Sequence, residues 1–182
     1  MIAFDIEEAV LPGRVVVLNQ GITDIRCDAL VNSAHPTLMA GGGVSGAIHR
    51  AAGPELERAA APLGPLEPGE AVATPAFLLP ARHVIHAVAP VWHGGGSGEM
   101  EGLERCYAAI LARAEEVGAR SLVIPTIGTG IYGWPAENAA EIGIGAAERF
   151  VASGPERRAV FATTDGATAR VFTARLYRDL PR

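Results

Sequence analysis

Runs of apolar residues alternate with amphipathic stretches along this chain of 182 residues. Six short runs rich in Val, Ile, Leu and Ala have the length and composition of β-strands. Two of them, "DALVNS" and "SLVIPTIG", are almost continuously apolar, which is typical of strands buried on both faces of a sheet. The predicted strands are Arg14–Asn19, Asp28–Ser33, Glu70–Phe77, His83–Pro90, Ser121–Gly128 and Arg158–Thr164.

Four stretches place their apolar residues at helical spacing. The strongest pattern, over Met100–Ala119, has one apolar stripe and a predicted end at Gly118. In the first of the four, Gly53 followed by Pro54 predicts a break or kink. Pro135 suits the first position of the third helix. The predicted helices are Val44–Leu63, Met100–Ala119, Pro135–Ala152 and Ala167–Leu180.

The order of these elements predicts the fold class. Strands that alternate with helices and are nearly continuous in apolar residues indicate a three-layer α/β/α sandwich around a largely parallel sheet. The chain shows no internal repeat and no linker long enough to divide it, so we predict a single domain over residues 1–182. The segment His93–Gly98, "HGGGSG", is predicted to be a surface loop, either a connection or the rim of a site.

Two glycine-rich segments share the pattern G-x-G-x-x-G. They are "GGGVSG" (Gly41–Gly46) and "GTGIYG" (Gly128–Gly133), and each follows a predicted strand. Ligands bind at the carboxyl ends of strands in open α/β sheets, and glycine lets backbone N–H groups approach an anion closely. Neither segment fits a dinucleotide-binding fingerprint, because "AHPTLMA" separates the first from its strand and neither is followed by an acid at a strand end about 20 residues on. We therefore predict one anionic ligand held between both segments.

Composition and charge narrow the class of partner. Hydrophobic residues make up 49% of the chain and charged residues 19%, as in ordinary globular proteins. The formal net charge is −5 and no cluster of Lys or Arg appears. This argues against broad electrostatic binding of nucleic acid, although a single terminal phosphate could still be recognised. Backbone N–H groups and helix N-termini can hold an anion without basic side chains.

No sequence signal points to export, a membrane or a metal. The N-terminal residues lack the basic and apolar regions of a signal peptide, and no apolar run is as long as a membrane span. Cys27 and Cys106 lack C-x-x-C spacing, which favours buried thiols in a reducing compartment. The five histidines show no metal-ligand spacing with acids or cysteines. We therefore expect a cytoplasmic protein without a metal, a cofactor or a membrane partner.

Four segments together carry a resemblance to a known family: "DALVNSA", "GGGVSGAIHRAAGPEL", "HVIHAVAP" and "PTIGTGIYGWP". From Arg14 onward the chain resembles the macrodomain family, modules that bind ADP-ribose and include mono-ADP-ribosyl and O-acetyl-ADP-ribose hydrolases. The resemblance implies a mixed, largely parallel sheet of about six strands with the ligand, ADP-ribose or an ADP-ribosylated macromolecule, above the strand ends. The ligand-binding residues that it implies are Asn32, Gly42, Gly43, Val44, Gly128, Thr129, Gly130, Ile131 and Tyr132.

Three positions depart from the family pattern. Gly21 stands where the family commonly has an Asp that accepts a hydrogen bond from adenine, and Asp24 follows three residues later. His35 replaces the second Asn of the Asn-Ala-Ala-Asn motif, which reads "NSAH" here. Ser45 replaces an Asp that assists the attacking water in hydrolytic members. A serine hydroxyl is a poor general base unless another group activates it, so the departures imply ligand binding with weak or absent hydrolysis.

The residues leave three functions open. The chain binds ADP-ribose without turning it over; or it hydrolyses an ADP-ribosyl or O-acetyl-ADP-ribose linkage; or it binds another phosphorylated ligand such as an RNA end. If hydrolysis occurs, the candidate catalytic residues are His35, because histidine can act as an acid or base near neutral pH, and Ser45. The substrate's own phosphate is a further way to direct water.

Four other side chains have predicted positions. Tyr132 rather than Trp134 is expected to face the ligand. His49 and His86 are expected to form hydrogen bonds in the core, and Phe161 either packs in the core or stacks on adenine.

Overall fold

Seven strands form the middle layer of the molecule. The computed structural model describes residues 4–5 and 14–178. Its strands are β1 (Phe4–Asp5), β2 (Val15–Leu18), β3 (Ile25–Ser33), β4 (Ala71–Pro75), β5 (Ala81–Ala87), β6 (Ser121–Pro125) and β7 (Arg158–Ala162). Six of them follow the order β2-β7-β6-β3-β5-β4, and β1 pairs in parallel with the start of β3. Within the six-stranded sheet every pair is parallel except the edge pair of β4 and β5.

Helices cover both faces of this sheet. They are α1 (Gly43–Ala52), α2 (Pro54–Ala60), α3 (Glu99–Glu116), α4 (Ala136–Ala152) and α5 (Gly166–Tyr177). Short 3-10 turns occupy Ile22–Asp24 and Ala61–Leu63. The predicted α/β sandwich with a mostly parallel sheet is confirmed. Part of the N-terminal segment and the last two residues of the predicted C-terminal helix lie outside the described residues. The single-domain prediction covers residues 1–182 and therefore also includes residues that the structure does not describe.

The apolar pattern of the strands explains the two cores. Side chains of a strand alternate between faces, and on β6 Leu122 and Ile124 pack on one side of the sheet while Val123 packs on the other. The first side is closed by α3, α4 and α5, and the second by α1 and α2. Cys27 and Cys106 are both buried, as predicted.

Glycine and proline end the helices where the sequence indicates. Gly53 has φ +83° and Pro54 opens α2, so the predicted break separates two helices. Gly118, with φ +66°, follows α3. Pro135 differs slightly from the prediction, because its backbone is extended and it precedes the helix that begins at Ala136. In the part of the chain that the structure describes, no helix combines the length and apolarity that a membrane span requires.

The register of the parallel strands determines where a ligand can bind. Leu18 at the end of β2 is paired with Ala162 at the end of β7, which is also paired with Pro125 at the end of β6. Asn32, one residue before the end of β3, is paired with His86 of β5. Because parallel strands share one direction, the loops that follow them gather at one edge of the sheet.

Candidate ligand-binding site

A cavity of about 790 Å³ opens at this carboxyl edge of the sheet. The loops that follow β2, β3, β6 and β7 line it, together with the first turn of α1. The lining residues are 20–23, 33–35, 41–45, 47, 125–126, 128–132 and 162–165. The cavity therefore lies where open α/β sheets bind ligands, and both glycine segments contribute to its wall.

The first glycine segment leads directly into α1. Gly42 is the N-cap residue, with an extended backbone and no side-chain hydrogen bond to the first turn. Gly43 has φ +54°, a conformation that glycine adopts without strain. A Cβ atom on Gly46 would lie 2.4 Å from the carbonyl oxygen of Gly41, so only glycine lets the segment pack this closely on its own helix. The N–H groups of the first helical turn have no intrahelical partners and can donate to an anion in the cavity.

The second glycine segment is a compact turn after β6. Gly128 has φ +86°, and a Cβ atom there would lie 2.5 Å from Cδ1 of Trp134. The Trp134 N–H donates to the Gly128 carbonyl at 3.1 Å, and the Thr129 hydroxyl donates to the Thr126 carbonyl at 2.8 Å. At Gly130 a Cβ atom would meet nothing within 4 Å. The turn thus has a closely packed base and an open tip at the cavity.

The two aromatic residues of this turn face in different directions. Trp134 is 4% exposed, donates its indole N–H to the Pro90 carbonyl at 2.8 Å and packs on Trp92 with ring centroids 4.8 Å apart. Tyr132 lines the cavity, and burial, with a smaller contribution from Cys106, raises the pKa of its phenol. Tyr132 thus lines the cavity and Trp134 does not, and that Tyr132 is the ligand-facing ring stays a prediction. Phe161 is fully buried against Phe172 and does not line the cavity.

Asn32 differs from the other predicted ligand-binding residues. All eight of the others line the cavity, whereas Asn32 is fully buried and does not. Its side-chain Nδ2 lies 3.2 Å from Nδ1 of His86, whose Nε2 lies 3.0 Å from the Thr74 hydroxyl. The sequence placed Asn32 correctly at a strand end, but the strand turns its side chain toward the neighbouring strand β5. In this structure Asn32 belongs to a buried polar cluster beside the cavity.

The two histidines of that cluster differ in their partners. His86 is bonded on both ring nitrogens, as predicted, and burial, with a smaller effect of His49, lowers its pKa to about 4. His49 is 6% exposed, and neither of its ring nitrogens has a hydrogen-bond partner among the described residues. The prediction of a core hydrogen bond is therefore wrong for His49. Burial lowers the pKa of His49 as well, which favours an uncharged ring.

His35, one of the two predicted catalytic residues, lines the cavity and is solvent-exposed. The backbone N–H of Thr37 donates to its Nδ1 at 3.2 Å, and the Thr37 hydroxyl lies 2.9 Å from the same nitrogen. An Nδ1 that accepts a hydrogen bond carries no proton, so this bond selects the tautomer with the proton on Nε2. Nε2 can then donate to a ligand oxygen, whereas a general base at Nε2 would need the other tautomer.

Ser45, the other predicted catalytic residue, also lines the cavity. It lies in the first turn of α1 with 5% of its surface exposed, and its hydroxyl has no hydrogen-bond partner among the described residues. No base touches this hydroxyl, and a serine that is not hydrogen-bonded to a base is neither an activated nucleophile nor a general base. The structure therefore brings His35 and Ser45 to one cavity without joining them as a catalytic pair.

Sequence reasoning missed the loop that follows β7. Thr163, Thr164 and Asp165 line the cavity, as does Gln20 after β2. Asp165 is the N-cap residue of α5. The available signal was an acid directly after a buried strand and before a helix, a pattern that predicts a cap and a strand-end position at once. No three His, Cys, Asp or Glu side chains of the described chain come together as a metal site.

Comparison with known proteins identifies the fold family. The family model described as "Macro domain" matches residues 31–143, which include both glycine segments, the end of β3 and the whole of β4, β5 and β6. The chain belongs to the macro domain family. A macro domain-containing protein of Chlorobaculum tepidum is 49% identical over 136 residues, which are 74% of this chain and 79% of the relative.

Three further relatives have a ligand or an activity in their names. A protein of Citrobacter rodentium named O-acetyl-ADP-ribose deacetylase is 43% identical over 165 residues, 87% of this macro domain and 93% of the relative. The Trypanosoma brucei macrodomain solved in complex with ADP-ribose superposes with a TM-score of 0.84 at 31% identity, covering 94% of this chain and 76% of that one. The Oceanobacillus iheyensis macrodomain with ADP gives a TM-score of 0.83 at 31% identity, covering 89% of each chain.

Proposed function

We propose that this macro domain binds ADP-ribose, or a molecule that carries an intact ADP-ribose group, between its two glycine segments. The observation that carries the proposal is the cavity at the carboxyl ends of the parallel strands, which both segments line. The first turn of α1 offers N–H groups there, and no Lys or Arg of the described residues lines the wall. This is the arrangement expected for a pyrophosphate held by backbone groups. Related macrodomains solved with ADP-ribose and ADP support it.

We infer that hydrolysis in this cavity is slow, for the following reason. Efficient hydrolysis needs a positioned acid or base that exchanges a proton with the attacking water. In the wall His35 is held in a tautomer that donates through Nε2, and the Ser45 hydroxyl has no activating partner. Asp165, the acid of the wall, accepts hydrogen bonds from its own helix. We therefore infer a binding module whose turnover is weak or absent.

O-acetyl-ADP-ribose hydrolysis is the second candidate function. This chain is 43% identical in sequence to a protein named O-acetyl-ADP-ribose deacetylase over nearly the full length of that protein, which favours this candidate. Such an activity would have to draw on His35, on Ser45 or on the ligand's own phosphate to direct water. Multiple turnover of O-acetyl-ADP-ribose by the unmodified chain would favour this candidate over the binding module.

A valine in the second glycine segment tests the binding site. Gly130 has open space where its Cβ would lie and no positive φ, so Gly130→Val folds but projects its methyl groups at the cavity wall. We expect ADP-ribose to bind at least about tenfold more weakly, since forcing bulk into a fitted site typically costs 1–3 kcal/mol. Isothermal titration calorimetry with ADP-ribose measures the effect. Gly43→Val is a poorer probe, because its positive φ would add backbone strain.

Gly96→Val is the matched control. Gly96 also has open space at its Cβ position and no positive φ, but it lies in the loop before α3 and does not line the cavity. Its affinity for ADP-ribose is expected to stay within about twofold of the parent, as for a surface substitution away from the site. If the parent and both variants bind ADP-ribose equally well, the ligand does not lie between the glycine segments.

A further inference from the structure

Residues 39–43 lead from the loop after β3 into the first turn of α1, and the side chains or backbone of all five are exposed. A Cβ atom at Gly42 or Gly43 would meet nothing within 4 Å, so the backbone there has open space beside it. A second cavity, of about 220 Å³, lies behind this stretch and is bordered by residues of α1 and α2. The N–H groups that we propose for the ligand are thus carried by a stretch with little packing of its own.

Two contacts connect this stretch to α2. The backbone N–H of Ala40 donates to Oε2 of Glu57 at 3.1 Å. Two residues earlier, Leu38 is fully buried in one cluster with Ala60, which lies three residues after Glu57 on α2. Leu38 has φ +59°, which is unfavourable for a residue with a side chain, so its packing holds the backbone in that conformation. Residues three apart share one side of a helix, so both contacts come from the same side of α2.

The charge of Glu57 opposes the binding of an anion at the first glycine segment. Its carboxylate is partly buried and lies beside the backbone that leads into this segment. Like charges repel, so the negative charge by itself weakens the binding of a pyrophosphate there. Glu57 is also the one side chain of the described residues that hydrogen-bonds the backbone of residues 38–43. Any contribution of Glu57 to ligand binding must therefore come from this hydrogen bond and not from its charge.

We infer that Glu57 is a positioning residue for ADP-ribose, because its hydrogen bond to Ala40 holds the first glycine segment in the conformation that receives the ligand. The inference rests on the proposed function and adds a residue outside the wall of the larger cavity. A segment that is ordered before the ligand arrives loses less conformational entropy when the ligand binds. The hydrogen bond from α2 thus increases the affinity of N–H groups that Glu57 itself does not supply.

Three variants in α2 separate the hydrogen bond from the charge. Glu57→Ala removes both, and alanine is the best helix former, so α2 is kept. Glu57→Gln removes the charge and keeps a carbonyl oxygen that can accept the Ala40 N–H. Glu55→Ala is the matched control, because it removes a carboxylate from the same helix. Glu55 is exposed, pairs with Arg58 and does not contact the loop through a hydrogen bond.

The test measures ligand affinity and backbone order separately. Dissociation constants for ADP-ribose come from isothermal titration calorimetry. We expect binding about tenfold weaker in Glu57→Ala, as for the loss of a hydrogen bond to a charged group, and within about threefold of the parent in Glu57→Gln and Glu55→Ala. In the ligand-free protein, order parameters from ¹⁵N relaxation should fall at residues 39–43 in Glu57→Ala and stay at the parent's values in the other two variants.

The sign of the change in affinity distinguishes the two roles of Glu57. If only its charge matters, both Glu57 variants bind ADP-ribose more tightly than the parent, which would overturn the inference. Equal weakening in Glu57→Ala and Glu57→Gln would overturn it too, because the acceptor oxygen would then be irrelevant. So would a Glu57→Ala variant with the affinity or the order parameters of the parent. A parent that does not bind ADP-ribose would overturn the proposed function, and the order parameters would still decide whether Glu57 holds the segment.

Discussion

Ser45 lies at the helix N-terminus that borders the cavity, 5% exposed and with an unpartnered hydroxyl. His35 lines the same cavity from the loop after β3. The residue types alone leave a catalytic pair open, since a histidine can activate a serine. The hydrogen bonds decide otherwise, because Nδ1 of His35 binds Thr37 and nothing binds the Ser45 hydroxyl in the described chain.

At the residue scale we predict that His35→Asn combined with Ser45→Asp gains hydrolysis of O-acetyl-ADP-ribose. The Asn side chain can accept the Thr37 N–H just as Nδ1 of His35 does, because this bond to the second following residue is the geometry of an Asx turn. An Asp in the first turn of α1 is favoured by the helix dipole and supplies the missing carboxylate. We expect a rate gain of at least about tenfold in single-turnover assays, a part of the 10²–10⁴-fold contribution of a positioned acid or base.

Ligand affinity is the internal control for the double variant. A new carboxylate near the first glycine segment should weaken ADP-ribose binding while the cleavage rate rises, since like charges repel. Each single variant is measured beside the double variant. A double variant that binds ADP-ribose and cleaves no faster than the parent would show that the two substitutions are not the reason for weak hydrolysis.

Glu99 connects two elements, α3 and the loop before it. Its carboxylate accepts the backbone N–H groups of His93 at 2.9 Å, Gly95 at 3.2 Å and Ser97 at 2.6 Å. Hydrogen bonds from its own N–H and from those of Ser97, His93 and Gly95 outweigh the effect of burial and lower its pKa to about 2. No residue of 93–98 lines the cavity, so the loop is an ordered connection.

At the element scale we predict that Glu99→Gln loosens this loop without affecting the ligand. The amide keeps the shape of the side chain but has one carbonyl oxygen for three donors, so amide hydrogen exchange at 93–97 should become faster. Because a carboxyl with a lowered pKa stabilises the fold above its unfolded pKa, the parent loses this contribution as the pH falls from about 4.5 toward 2. Glu101→Gln is the control, because it also removes a negative charge from the first turn of α3, where that charge favours the helix dipole, but leaves the Glu99 hydrogen bonds in place. A large change in ADP-ribose affinity in Glu99→Gln would contradict the prediction.

The stability of the whole molecule depends on a buried histidine. His86 of β5 contacts Asn32 of β3 and Thr74 of β4, and its ring is fully buried. Its pKa is about 4 in the folded chain against 6.5 as the ordinary value. As the pH falls below about 6.5 the unfolded chain takes up a proton and the folded chain does not, so the fold loses stability down to about pH 4.

At the scale of the whole molecule we predict that His86→Gln reduces this acid sensitivity. Between pH 6.5 and pH 4 the lowered pKa of His86 reduces the free energy of unfolding by roughly 3 kcal/mol, because one pKa unit corresponds to about 1.36 kcal/mol. Free energies of unfolding from urea titrations at pH 7.5 and pH 5 measure it. The difference between the two pH values should be smaller in His86→Gln than in the parent, whatever the stability of the variant at pH 7.5.

Thr74→Val separates titration from hydrogen bonding. It removes the hydroxyl that lies 3.0 Å from His86 Nε2 and keeps the imidazole. It should therefore lower stability at both pH values and leave the pH dependence in place. If His86→Gln and the parent lose the same free energy between pH 7.5 and pH 5, His86 does not carry the acid sensitivity.

Most of the fold and half of the site could be predicted from the sequence because they depend on neighbouring residues. The continuous apolar run of β6, the break at Gly53 and the end of α3 near Gly118 are local patterns, and the structure has them where they were expected. The glycine segments were found for the same reason, since each is a local departure from helix or strand. Pro135 was misplaced by one residue, as helix ends commonly are.

What only the tertiary structure decided is which side chains meet. The register of β3 on β5 places Asn32 against His86 and away from the cavity. The packing of α1 on the sheet buries His49, whose ring nitrogens have no hydrogen-bond partner among the described residues. The order of the strands brings Asp165, from the far end of the chain, to the same cavity as Gly43 and Gly130. The sequence by itself determined the elements, the glycine segments and the family pattern, because each is written in residues that are close along the chain. Contacts between strands that are far apart in sequence depend on register and packing, which no local pattern contains.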